Sequence, residues 1–179
     1  MEGIATLLEP HRYADIEAIW SYLEADCDLK GVKITPVPHV SWQLVESYQM
    51  DMLFAVLEEF CRHAKPFLAR TTGLGIFTGE NPVIYIPLVK NHQLLRFHEI
   101  LWNETARAGS GIIPHYSPEN WIPHITLASG DVDRIKLSCA MERLTFHTYN
   151  WEFVVDHLVV GRQRDEEVSE FIRHFELGG

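Results

Sequence analysis

The sequence predicts an α+β fold of two similar lobes, on three observations. A pattern of strand, helix and hairpin runs through the first half of the chain and returns in the second. One short tetrad recurs at the same place in both halves. The composition, 46% hydrophobic and 22% charged over 179 residues, is that of an ordinary protein able to bury a core. No low-complexity segment or linker interrupts the chain, so residues 1–179 are expected to form one domain with two lobes.

In chain order, the apolar run Ile4 to Leu8 predicts a short strand, and Ile16, Ile19, Trp20 and Leu23 fall on one face of a helix over about Tyr13 to Leu23. A loop holding Gly31, Pro36 and Pro38 follows. His39 to Val45 is β-prone, whereas Met52, Leu53, Val56, Leu57 and Phe60 repeat at helical spacing. Phe67 to Phe77 and Val83 to Val89 read as two strands joined by a turn at Thr78 to Pro82, with Pro87 making the second an edge or bulged strand. Gly73 and Gly75 lie inside the first of these runs with no helix after them. A bulge or close backbone contact therefore suits them better than a phosphate loop.

The second half repeats this plan. A helix is expected from about Asn91 to before Gly109, then a Gly/Pro/Ser-rich loop to Pro118 and a strand over Ile122 to Ala128. Ser129 or Asp131 can cap a further helix carrying Ile135, Leu137, Cys139, Met141 and Leu144. Two β-like runs, Trp151 to Val160 and Val168 to Leu177, close the chain, separated by a solvated turn over Arg164 to Glu167.

The formal charge of −10 argues against clamping an extended duplex, which draws on many Lys and Arg contacts to phosphates. A small nucleotide, or one end of an RNA strand, remains compatible with it. No apolar run approaches the roughly 20 residues that span a bilayer, and the N-terminus lacks a signal-peptide pattern, so a cytoplasmic protein, away from membranes and monomeric, is expected. Cys27, Cys61 and Cys139 are odd in number and far apart, which suits reduced thiols.

The recurring tetrad is Pro38-His39-Val40-Ser41 and Pro123-His124-Ile125-Thr126. On a strand, residues i and i+2 share a face, so His39 stands with Ser41 and His124 with Thr126, while Val40 and Ile125 turn inward. Two lobes facing across a cleft would present a phosphate with two imidazoles from opposite sides and two hydroxyl donors for its non-bridging oxygens. In-line displacement at phosphorus needs such opposed groups. An imidazole, titrating near neutrality, can serve as acid on one side and base on the other, with no metal and no cofactor. Ser41 and Thr126 would steady developing charge, as the donors of an oxyanion hole do.

These two motifs, 85 residues apart, resemble those of the two-histidine (2H) phosphoesterase superfamily, in particular its bacterial branch of 2'-5' RNA ligases, or RNA 2',3'-cyclic phosphodiesterases. The segments Gly73 to Phe77 and Asn81 to Tyr85 resemble the hairpin that lies between the motifs in that family, with Phe77 where an aromatic residue lies close to the base. The resemblance implies a bilobed, pseudo-twofold fold with two antiparallel sheets around a central cleft, flanked by helices. It implies opening of 2',3'-cyclic phosphates on RNA ends or nucleotides, with weak 2'-5' ligation. It further implies His39 as acid on the departing 3'-oxygen and His124 as base on water. The chain departs from the family in having Glu119-Asn120-Trp121-Ile122 before the second motif and Ala128-Ser129-Gly130 after it, with no basic residue. Another small nucleotide, such as an ADP-ribose cyclic phosphate or a 2'-5' oligonucleotide, and a non-catalytic nucleotide-binding role stay open.

Around the motifs, Tyr116, Phe77 and Trp121 are candidates for stacking on a base, and His115 for touching substrate from the loop before the second motif. Trp42, on the strand face opposite His39 and Ser41, is expected in the core. The other histidines show no metal-ligand spacing.

Overall fold

The computed structural model describes residues 1–35, 37–163 and 170–178; Pro36 of the first loop and the turn expected over Arg164 to Glu167 lie outside these. The chain runs through β1 (Glu2–Leu7), α1 (Pro10–Cys27), β2 (His39–Val45), β3 (Ser47–Tyr48), α2 (Met50–His63), β4 (Phe67–Arg70), β5 (Gly75–Phe77) and β6 (Val83–Pro87). It continues through α3 (His92–Thr105), β7 (Gly109–Ser110), β8 (His124–Ala128), α4 (Arg134–Leu144), β9 (Glu152–Val155), β10 (His157–Arg162) and β11 (Glu170–Glu176).

The helices follow their apolar spacing. On α2, Leu53, Leu57 and Cys61 form one buried stripe, and on α3 Leu94, Phe97, His98, Leu101 and Thr105 do the same. The Asn91 side chain caps α3 by accepting from the Leu94 N–H. The cap of α4 is Asp133, not Asp131 or Ser129: its carboxylate accepts from the Ile135 and Lys136 N–H groups, whereas Asp131 accepts from the Lys30 N–H across the cleft loops.

Two main antiparallel sheets, with a short β3-β7 pair besides, make an α+β fold of two lobes. The first has the order β11-β10-β1-β2. The second has the order β5-β6-β8, and the β4-β9 pair joins it through a bridge between Thr71 and Leu88. Helices α2 and α3 pack on the first sheet, whereas α1 packs beside β8 and α4 packs on α1. Each lobe thus borrows from both ends of the chain: the hairpin after the first motif belongs to the second sheet, and the hairpin after the second motif to the first. The motif strands β2 and β8 close their respective sheets and lie beside one another at the centre.

Two strand expectations are corrected by these pairings. Phe67 to Phe77 is two strands, because β4 pairs with β9 while β5 pairs with β6. Trp151 to Val160 likewise divides at Asp156, sending β9 to one sheet and β10 to the other. Of the two alternatives for the strand that ends at Pro87, the bulged one holds: β6 is central in its sheet, and its register shifts between Ile84 and Tyr85.

The core between sheets and helices centres on Trp42, fully buried, with Phe97, His98 and Trp121 around it. Among the described residues no helix is long and apolar enough to cross a membrane.

The cysteines are not all reduced thiols. Cys27, the last residue of α1, is bonded to Cys139 on α4, 112 residues away, and Cys61 is the free, buried one. Only the packing of α1 on α4 brings the two together, which distance in sequence conceals. A bridge closing so long a loop restricts the unfolded chain, so reduction is expected to lower unfolding free energy by about 2 to 4 kcal/mol. Urea unfolding with and without reductant checks this, and an unchanged midpoint would show that the bridge contributes nothing.

Candidate functional site

Both tetrads sit as their alternation requires. Val40 and Ile125 are buried, while His39, Ser41, His124 and Thr126 are half-buried on the cleft side. All four, with Tyr116 and Trp20, line one cavity of about 330 Å³.

The two imidazoles are held in the same way. Nδ1 of His39 lies 2.7 Å from the carbonyl oxygen of Val37, and Nδ1 of His124 lies 2.6 Å from that of Ile122. A carbonyl can only accept, so Nδ1 carries the hydrogen in each neutral ring, and Nε2 is left with its lone pair. Burial pulls the pKa of both rings below the ordinary histidine value, against the raising effect of those carbonyls. Positive charge on His39 depresses His124 further. One proton for the pair is therefore favoured over two.

A second correspondence concerns the strands themselves. The Trp20 indole donates to the Thr126 carbonyl oxygen at 3.2 Å, and the Trp121 indole donates to the Ser41 carbonyl oxygen at 3.0 Å. Each motif strand ends its sheet, and an indole N–H satisfies a carbonyl that no neighbouring strand takes up. Trp20 was visible in the sequence only as part of the apolar stripe of α1.

The remaining candidates divide. The Tyr116 hydroxyl is hydrogen-bonded to the Ser41 side chain, and burial raises its pKa. Phe77 stacks on Tyr85 at 4.1 Å and meets His124 edge-on at 5.0 Å, so it supports the His124 ring. His115 is exposed and not part of the cavity wall. Trp121 is 1% exposed and stacks on His98 at 3.8 Å, which places it beneath β2 rather than open to a base. Its indole N–H, not its ring face, reaches the site. Of the two glycines, Gly75 is in close contact, since a Cβ there would fall 2.4 Å from the Tyr85 ring.

Charge in the cavity is sparse. Among its described residues Arg162 is the one Lys or Arg, and its Nε is 2.6 Å from the Glu2 carboxylate. Among the described residues no three His, Cys, Asp or Glu side chains gather where they could hold a metal ion.

The family model described as the 2'-5' RNA ligase superfamily matches residues 8–167, which include both tetrads. The chain belongs to that superfamily. Its fold is similar to that of TT0787 of Thermus thermophilus, at a TM-score of 0.66 and 20% identity, over 99% of this chain and 98% of that one. It is similar also to a solved phosphoesterase, at 0.60 and 16%, with the same coverage. Escherichia coli LigT complexed with 3'-AMP is a third such structure, at 0.60 and 15%, again over 99% and 98%. At these identities the likeness shows the fold, which is that of LigT and related 2H phosphoesterases. No curated protein matches the chain.

Proposed function

We propose that the protein, as one unit over residues 1–179, is a metal-independent phosphodiesterase opening 2',3'-cyclic phosphates on nucleotides or RNA ends, with His39 and His124 as the proton-transferring pair. The observation that carries this reading is the matched anchoring of the two rings. Each gives its Nδ1–H to a carbonyl two residues earlier, and both rings line one cavity.

In this reaction a water oxygen bonds to phosphorus while the bond from phosphorus to the 3'-oxygen breaks. His124 Nε2 takes the proton of the water, and His39 Nε2–H gives its proton to the departing oxygen. The product keeps a 2'-phosphate beside a free 3'-hydroxyl, and the two imidazoles have exchanged protonation, which solvent then resets. The repulsion between the two rings keeps one proton on the pair, and the assignment of base and acid follows the resemblance to the family. Ser41 and Thr126 donate to the non-bridging oxygens, and Tyr116 orients Ser41. A 5'-hydroxyl in place of water gives a 2'-5' linkage by the same steps. The LigT complex with 3'-AMP shows a nucleotide bound to a protein of similar fold and lends support.

Incubation with a 2',3'-cyclic nucleotide in excess EDTA is expected to give a nucleoside monophosphate. Turnover that stops with chelator and returns with a divalent metal would overturn the reading. The pH profile follows from the shifts. The working pair has one ring protonated and one neutral, a state lost above the higher pKa and below the lower. Both lie below the ordinary histidine value of 6.5, so kcat/KM should peak on the acid side of that value and decline through pH 7 to 9. An optimum well above neutrality would contradict it.

A further inference from the structure

The cavity extends beyond the two histidines, across the exposed face of the first sheet. Registers place Leu44, Gly3, Gly161 and Phe171 in one row, because Gly3 pairs with both Leu44 and Gly161, and Gly161 pairs with Phe171. All four line the same cavity as His39 and His124.

Two adjacent glycines inside a sheet weaken it, so their presence calls for a reason of packing or access. Here the flanking side chains use the space. A Cβ on Gly3 would fall 2.4 Å from a Leu44 methyl, and a Cβ on Gly161 would lie 3.7 Å from two carbons of the Phe171 ring. Leu44 therefore rests on the Gly3 backbone, and the Phe171 ring lies beside Gly161. The outcome is a low apolar strip with an aromatic ring at its end, and Phe171 is 40% exposed. Beside the strip the charges of Arg162 and Glu2 neutralise one another. Such a surface suits a flat, uncharged heterocycle better than a second phosphate.

Distance decides which heterocycle. The row lies four residues along β1 from the Leu7–His39 pair, and Phe171 is three strands across from β2. At the usual strand rise and spacing this puts the Cα atoms of His39 and Phe171 roughly 20 Å apart. That is beyond the base of the nucleoside whose own phosphate sits at His39, but within reach of the adjoining one.

We propose that Phe171, with Leu44 and the Gly3–Gly161 row, is a stacking subsite for the base of the nucleotide next to the one that carries the cyclic phosphate. The subsite rests on the phosphodiesterase reading and narrows it: the preferred substrate is an oligonucleotide end, not a mononucleotide.

The test compares kcat/KM for a dinucleotide ending in a 2',3'-cyclic phosphate with that for the corresponding mononucleotide. The native protein should favour the dinucleotide tenfold or more. F171A should bring the dinucleotide value close to that of the mononucleotide, while F171W restores the difference. Equal values in the native protein, or an equal fall for both substrates in F171A, would overturn the subsite. If neither substrate is turned over, the affinities of a dinucleoside 3'-phosphate and a nucleoside 3'-phosphate are measured instead. A Phe171-dependent preference for the longer ligand would then uphold the subsite while the reaction falls, and no preference would remove both.

Discussion

Replacing either His39 or His124 by alanine should lower kcat/KM on a 2',3'-cyclic nucleotide by about 10²- to 10⁴-fold, the range that a positioned acid or base supplies. The expectation comes from the pairing of roles. One ring must hold a proton while the other lacks it, so the loss of either leaves the second without a partner for the exchange. For the same reason the double replacement should fall little further than the single ones, since groups that act as a unit are not additive. Both side chains are half-buried on the cleft face, with no part in the core, so the variants should unfold close to the native midpoint. Steady-state kinetics alongside a denaturation curve checks both statements. A variant that keeps a tenth or more of the native rate would remove that histidine from the mechanism.

The largest effect on stability is expected from Trp42→Ala, at about 3 to 5 kcal/mol, the range for removing a large aromatic from a close-packed interior. Trp42 is fully buried between Phe97, His98 and Trp121, and its indole N–H is donated to the Thr6 hydroxyl at 2.9 Å. Truncation opens a cavity and removes the donor to Thr6 at once. It also deprives Trp121 of a neighbour, and Trp121 holds the Ser41 carbonyl. Activity should therefore suffer before unfolding begins, through looser placement of the first motif. Trp42→Phe, which keeps most of the volume, should recover much of the stability. Urea titration measures both, and a loss under about 1 kcal/mol for the alanine variant would show that this cluster does not organise the core.

Much of the site could be read from the residues alone because its signal is local. Period-two alternation in His39-Val40-Ser41 and His124-Ile125-Thr126 fixes which side chains face the cleft, and it places Trp42 in the core by the same rule. The helices were visible for a similar reason, since the stripes of α2 and α3 repeat every three or four residues. What escaped depends on contacts between distant parts of the chain. Nothing around Asp156 announces a break as Gly or Pro would, yet there the chain passes from one sheet to the other. The choice of Asp133 over Asp131 as a cap turns on Asp131 being engaged by Lys30, 101 residues earlier. Trp121 and Trp20 serve through one N–H each, a role that no spacing encodes, and the bond between Cys27 and Cys139 exists only because two helices meet. Phe171 passed for an ordinary strand residue, since its significance lies in the glycine beside it.

The exchange of hairpins between lobes bears on how the protein is made. On the ribosome, β1 and β2 emerge well before β10 and β11, the strands that complete their sheet, so the first motif waits on an incomplete scaffold while the residues between them are made. The second sheet can assemble earlier, from the middle of the nascent chain. Pairings that join the two ends of a polypeptide form slowly and expose open sheet edges meanwhile. Emergence of β10 and β11, rather than synthesis of either histidine, is then the event that brings the cleft into being.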